Sequence, residues 1–72
     1  MDELRKKYQA EIEKLESEDL REIAENRERA LEQARKAVEQ VEPERLTPDH
    51  IEAMANEMQI IAKMILEERT KN

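Results

Sequence analysis

The chain has 72 residues, 44% of them charged, with 19 Asp and Glu against 13 Lys and Arg for a net charge of -6. It has one Tyr, one His and two Pro, and no Gly, Cys, Phe or Trp. That composition excludes disulfides, thiolate metal sites, cysteine nucleophiles and glycine-dependent phosphate loops, and the acidic balance speaks against nucleic acid, which is gripped by basic patches.

High charge with few aromatics can signal disorder. Here the apolar residues recur every three or four positions, and both prolines fall between the periodic runs. The bias to Glu, Arg, Lys, Leu, Ala and Gln predicts an all-α chain, a single helical domain over 1–72 with no strand. No apolar run approaches the ~18 residues of a membrane span. The start, Met1-Asp2-Glu3-Leu4-Arg5, has no apolar signal core. A soluble chain is expected, cytoplasmic when expressed.

A first helix is predicted over 2–16, with Leu4, Tyr8, Ile12 and Leu15 as one narrow apolar stripe. Asp2–Lys6 and Glu3–Lys7 are acid-first pairs one turn apart. A second helix is predicted over 18–42. Its heptad columns are Leu20–Arg27–Ala34–Val41, Ile23–Ala30–Ala37 and Ala24–Leu31–Val38. Arg27 is the misfit, expected to lay its stem on the seam and its guanidinium in water. At ~100° per residue the two stripes centre about 85° apart, so a turn is predicted at 16–18, with Ser17 as its cap. The rival is one long helix over 2–42 plus a helix over 48–71, swapped between chains or dimeric.

Pro43 ends the second helix. In Leu46-Thr47-Pro48-Asp49-His50-Ile51, Thr47 should cap the third helix, predicted over 48–71, and Pro48 should take its first position. Leu46 and Ile51 have the spacing of a hydrophobic staple. The main stripe of this helix is Ile51, Met54, Ala55, Met58, Ile61, Ala62 and Ile65, and Ile60 and Met64 lie more than about 100° around. A second stripe needs a second neighbour, so Ile60 and Met64 are assigned as the docking strip for the first helix. The result is a three-helix up-down-up bundle. Its first helix, the shortest, should leave an uncovered groove between Ala34, Val38, Met54 and Met58.

No residues converge on chemistry. His50 is the one imidazole and is expected on an exposed first turn, without partner ligands. The carboxylates fit a solvated, salt-bridge-laced surface. Met54, Met58 and Met64 could adapt to a partner but have the spacing of core filling. No catalytic, cofactor-binding or metal residue is assigned, no cofactor is expected, and the chain is not read as an enzyme.

Two resemblances remain. Ile51-Glu52-Ala53-Met54-Ala55-Asn56-Glu57-Met58 resembles the short amphipathic death-promoting motif that lies in the groove of apoptosis regulators. Asn56 stands where that motif has an Asp, and Thr47 where it has an apolar anchor. The absent glycine, the charge, the acid-first pairs and the Leu-Thr-Pro-Asp cap look like a computationally designed (de novo) small helical bundle. Asn26, Asn56, Gln59, the internal methionines and the uneven helices are similar to native helical fragments assembled into such a design. The resemblance implies a structural bundle whose purpose is its fold, with no natural biochemical activity and no required partner. The alternatives are a natural acidic helical hairpin or adaptor, and an interaction module using the Met-rich face of the third helix. A monomer is expected, with a homodimer as the alternative.

Overall fold

In the computed structural model, which describes residues 2–71, helices carry nearly the whole chain, as its composition dictates. The elements are α1 (Asp2–Glu13), α2 (Ser17–Glu25), α3 (Arg27–Val41), a 3-10 turn (Pro43–Arg45) and α4 (Pro48–Thr70), with no strand among the described residues. There are thus four helices rather than three, because the expected 18–42 helix is broken.

α1 ends early. The Leu15 N–H donates to the Ile12 carbonyl at 3.1 Å, closing a tight turn that keeps half-buried Leu15 against the core. Glu16 is extended (φ -74, ψ 159) and precedes α2, but its side chain makes no cap bond. The turn therefore lies at 14–16, not 16–18, and the continuous 2–42 helix does not form. Ser17 is the first helical residue and not the cap. Its Oγ instead accepts from Arg69 Nη1 at 3.2 Å.

The second break is at Asn26, also extended (φ -117, ψ 113). Its N–H still donates to the Glu22 carbonyl at 2.8 Å, and its carbonyl already accepts from the Ala30 N–H at 3.0 Å. One residue thus closes α2 and opens α3. Its Oδ1 accepts from the N–H groups of Glu28 and Arg29, the role for which Asn is preferred at a helix start.

The Pro43–Pro48 connection forms as its residues require. α3 stops at Val41 before Pro43. Thr47 Oγ1 accepts from the His50 N–H at 3.2 Å, and Pro48 takes the first turn, where no N–H is needed.

α4 is the spine against which α1, α2 and α3 all pack, and α1 also touches α3. Ties from Arg5 to Glu57 and from Arg69 to the Glu13 carbonyl set α1 parallel to α4. Ties from Ser17 to Arg69 and from Arg27 to Asn56 set α2 and α3 antiparallel to it.

Tyr8, Ile12, Leu20, Ile23, Val38 and Met58 are fully buried, among small Ala30, Ala34, Ala55 and Ala62. The groove expected between Ala34, Val38, Met54 and Met58 is absent, since Ala34, Val38 and Met58 are sealed and Met54 is half-buried. α1 closes it by sending Tyr8 as far as Glu42, at the end of α3. Ile60 and Met64 are not covered by α1 as a docking strip would be: they remain 49% and 52% exposed, and Met64 only borders a cleft with Gln9 and Glu13 of α1.

Candidate functional site

Besides the Arg69 and Arg5 ties already described, two larger polar clusters cross between helices, each built at a helix end. The first centres on Glu42. Its N–H donates to the Val38 carbonyl at 2.7 Å, so it is the last residue tied to α3 before Pro43 turns the chain. That position aims its carboxylate, only 12% exposed, back under the bundle. Tyr8 Oη donates to Oε2 at 2.6 Å, Arg45 Nη1 donates to Oε1 at 3.4 Å, and His50 Nε2 lies 3.4 Å from Oε2. The hydroxyl bond from Tyr8, helped by Arg45 and His50, holds the Glu42 carboxyl below its ordinary pKa. Burial, and then the bond to the carboxylate, push the Tyr8 hydroxyl well above its own.

His50 corrects an expectation. Its side chain is only 20% exposed, and Nε2 is shut from solvent, with the Glu42 carboxylate as its neighbour but no well-aligned hydrogen bond. It sits in the first turn of α4 as expected, but that turn faces the α3 end and not water.

The second cluster lies at the Asn26 break. Arg27 Nη1 donates to Asn56 Oδ1 at 2.6 Å and to Gln59 Oε1 at 3.3 Å, while Nη2 donates to the Glu52 carbonyl at 3.3 Å. Gln59 Nε2 donates to the carbonyls of Ile23 at 3.2 Å and Ala24 at 3.5 Å. Arg27 therefore does not send its guanidinium simply into water. It bolts α3 to α4, and that is why a cation occupies an apolar column.

A carboxylate with donors on both oxygens and a depressed pKa is a weak base, so the first cluster suits holding better than proton transfer. The second consists of amides and a guanidinium engaged with one another and with backbone. Among the described residues no three His, Asp or Glu side chains are placed to hold a metal ion, and no helix is long and apolar enough to cross a membrane.

Met58 is core, Met54 half-buried and Met64 exposed, so the methionines do not form one free face. The segment resembling the death-promoting motif turns Ala55 and Met58 inward. Its Asn56 is occupied by Arg27, and Thr47 by its cap. The sequence reading missed the roles of Tyr8, Asn26, Glu42 and Gln59. Only Asn26 offers a local signal, a capping side chain followed two residues later by acidic Glu28. Comparison with family models, curated proteins and solved structures gave no match to this chain.

Proposed function

We propose that the chain is a structural helical bundle whose purpose is its fold, with α2 and α3 serving together as the middle, bent arm of an up-down-up arrangement. The observation that carries this reading is the destination of the cross-helix polar side chains. Tyr8, Arg27, Gln59 and Arg69 are each spent on a tie to another element, and such satisfied ties fix one packing over others. The reading assigns the chain no catalytic role, cofactor or required partner. A design origin, with native-like fragments recombined, is supported by the backbone: no described residue has a positive φ, the unstrained geometry from which idealised designs begin. The test is urea unfolding of the isolated chain, followed by circular dichroism at two protein concentrations. One cooperative, concentration-independent transition is expected. A chain that is unfolded alone and orders only on adding a partner would overturn the reading.

The second reading, an interaction module, is favoured by one observation: Ile60 and Met64 stand half-exposed one turn apart on α4. They replace Met54 and Met58 as the face that a partner helix would cover. Ile60→Lys with Met64→Lys should abolish such binding and leave the unfolding transition in place.

A further inference from the structure

Locally, residues 17–41 have the pattern of one helix. The segment lacks Pro and Gly, and its apolar columns run through Asn26 without a change of phase. The backbone nevertheless opens there. In an unbroken helix the Ile23 and Ala24 carbonyls would accept from the N–H groups of Arg27 and Glu28. Both carbonyls accept instead from Gln59 Nε2. Glu28 and Arg29 donate to Asn26 Oδ1. The other end of the Gln59 amide, Oε1, accepts from Arg27 Nη1, so this side chain is gripped on both sides of the break. Half of what satisfies the opening thus comes from α4, more than thirty residues away in the chain.

We propose that the bend at Asn26 is imposed by α4 through Gln59, which makes α2–α3 a hinge and α4 its clamp. With the Gln59 amide on the Ile23 and Ala24 carbonyls, α2 and α3 stay bent and both lie on α4. When the amide leaves, those carbonyls have no acceptor duty other than to the next turn, and residues 17–41 close into one continuous helix. Within the segment only the Asn26 cap opposes closure; Asn is tolerated inside helices at a modest cost, whereas an orphaned buried carbonyl is costly. The straight form swings Leu20 and Ile23, now wholly buried, off the line of α4. The hinge therefore couples the seating of α4 to the shape of the arm that precedes it.

The test is NMR of the isotopically labelled full chain, reading the Asn26 Cα chemical shift and the exchange of the Arg27 amide. In the parent chain Asn26 should show an extended shift, and Arg27, whose N–H makes no bond back to Ile23, should exchange quickly. Gln59→Leu removes the donor and keeps the bulk. The Asn26 shift should become helical, and Arg27 exchange should slow by at least about tenfold as its helical bond forms. Gln59→Glu gives the same expectation while retaining a polar group for Arg27, which guards against a Leu variant that does not fold. Asn26→Ala, with Gln59 intact, should stay bent. A bend that survives in both Gln59 variants overturns the proposal. The cause is then the Asn26 cap if Asn26→Ala straightens the arm, and the packing of Leu20 and Ile23 if it does not.

Discussion

Glu42 receives three elements on one carboxylate: α1 through Tyr8, the 3-10 turn through Arg45 and α4 through His50. A hydrogen bond to a charged acceptor contributes about 1.5–3 kcal/mol. Tyr8→Phe keeps the buried ring and removes the donor, so it should lower the urea-unfolding free energy at pH 7 by about that amount. Its pH dependence has a definite sign at both ends. The Glu42 carboxyl is depressed in the fold, so its stabilisation is present above the ordinary value of 4.5 and is lost as pH falls through the lower folded value. The Tyr8 hydroxyl is raised, so its contribution is whole below the ordinary tyrosine value of 10.0 and falls above it, by up to about 1.4 kcal/mol per pH unit. The gap between parent and Tyr8→Phe should therefore be widest near neutrality and narrow in acid and in alkali. A gap that is flat with pH would show that the hydroxyl acts by packing alone. His50→Ala, which would be neutral on an exposed turn, should cost about 0.5–1.5 kcal/mol in the same assay, as a largely covered imidazole packed beside the Glu42 carboxylate is removed.

The helix ends show what local sequence can and cannot disclose. Thr47-Pro48 is legible because the cap needs only residues 47 to 50, and the structure forms it. The turn after α1 is legible because the stripes of its flanking helices point different ways, but its exact residues are not. Leu15 is held by the core and Ser17 by Arg69, more than fifty residues later. The break at Asn26 leaves no mark on the apolar pattern, since its compensation comes from Gln59. The Glu42 cluster is likewise hidden, because Tyr8 and Glu42 stand 34 residues apart. These differences give a paired expectation. Thr47→Ala removes a true cap and should cost about 1 kcal/mol. Ser17→Ala removes only an exposed partner of Arg69 and should stay within about 0.5 kcal/mol. Equal losses in urea unfolding would return Ser17 to the capping role.

At the scale of the whole molecule, the question is whether one copy suffices. The core argues that it does: α1 closes the end that would otherwise be two helices thick, with Tyr8 and Ile12 wholly buried. Ile61, 2% exposed, lies at that core, and Ile61→Ala should cost about 2–5 kcal/mol. Leu31 is only half-buried, beside Leu46 and Ile51 in an open groove, so Leu31→Ala should cost less. What remains bare is small. Among the described residues, Leu46, Ile60 and Met64 are the large apolar side chains left exposed, and the last two stand one turn apart on α4. A stable dimer buries about 800 Å² per partner, roughly 15% of the 5191 Å² surface. Two half-exposed side chains supply a minor part of that, and the rest would have to come from charged surface. The net charge of -6 opposes approach of a second copy, more so at low salt. Sedimentation equilibrium at micromolar concentration should therefore give a monomer at both low and high salt. A dimer appearing only at high salt would identify charge repulsion as what keeps copies apart. A dimer present at both, and lost in Ile60→Lys, would make the outer face of α4 an interface and the single chain an incomplete unit.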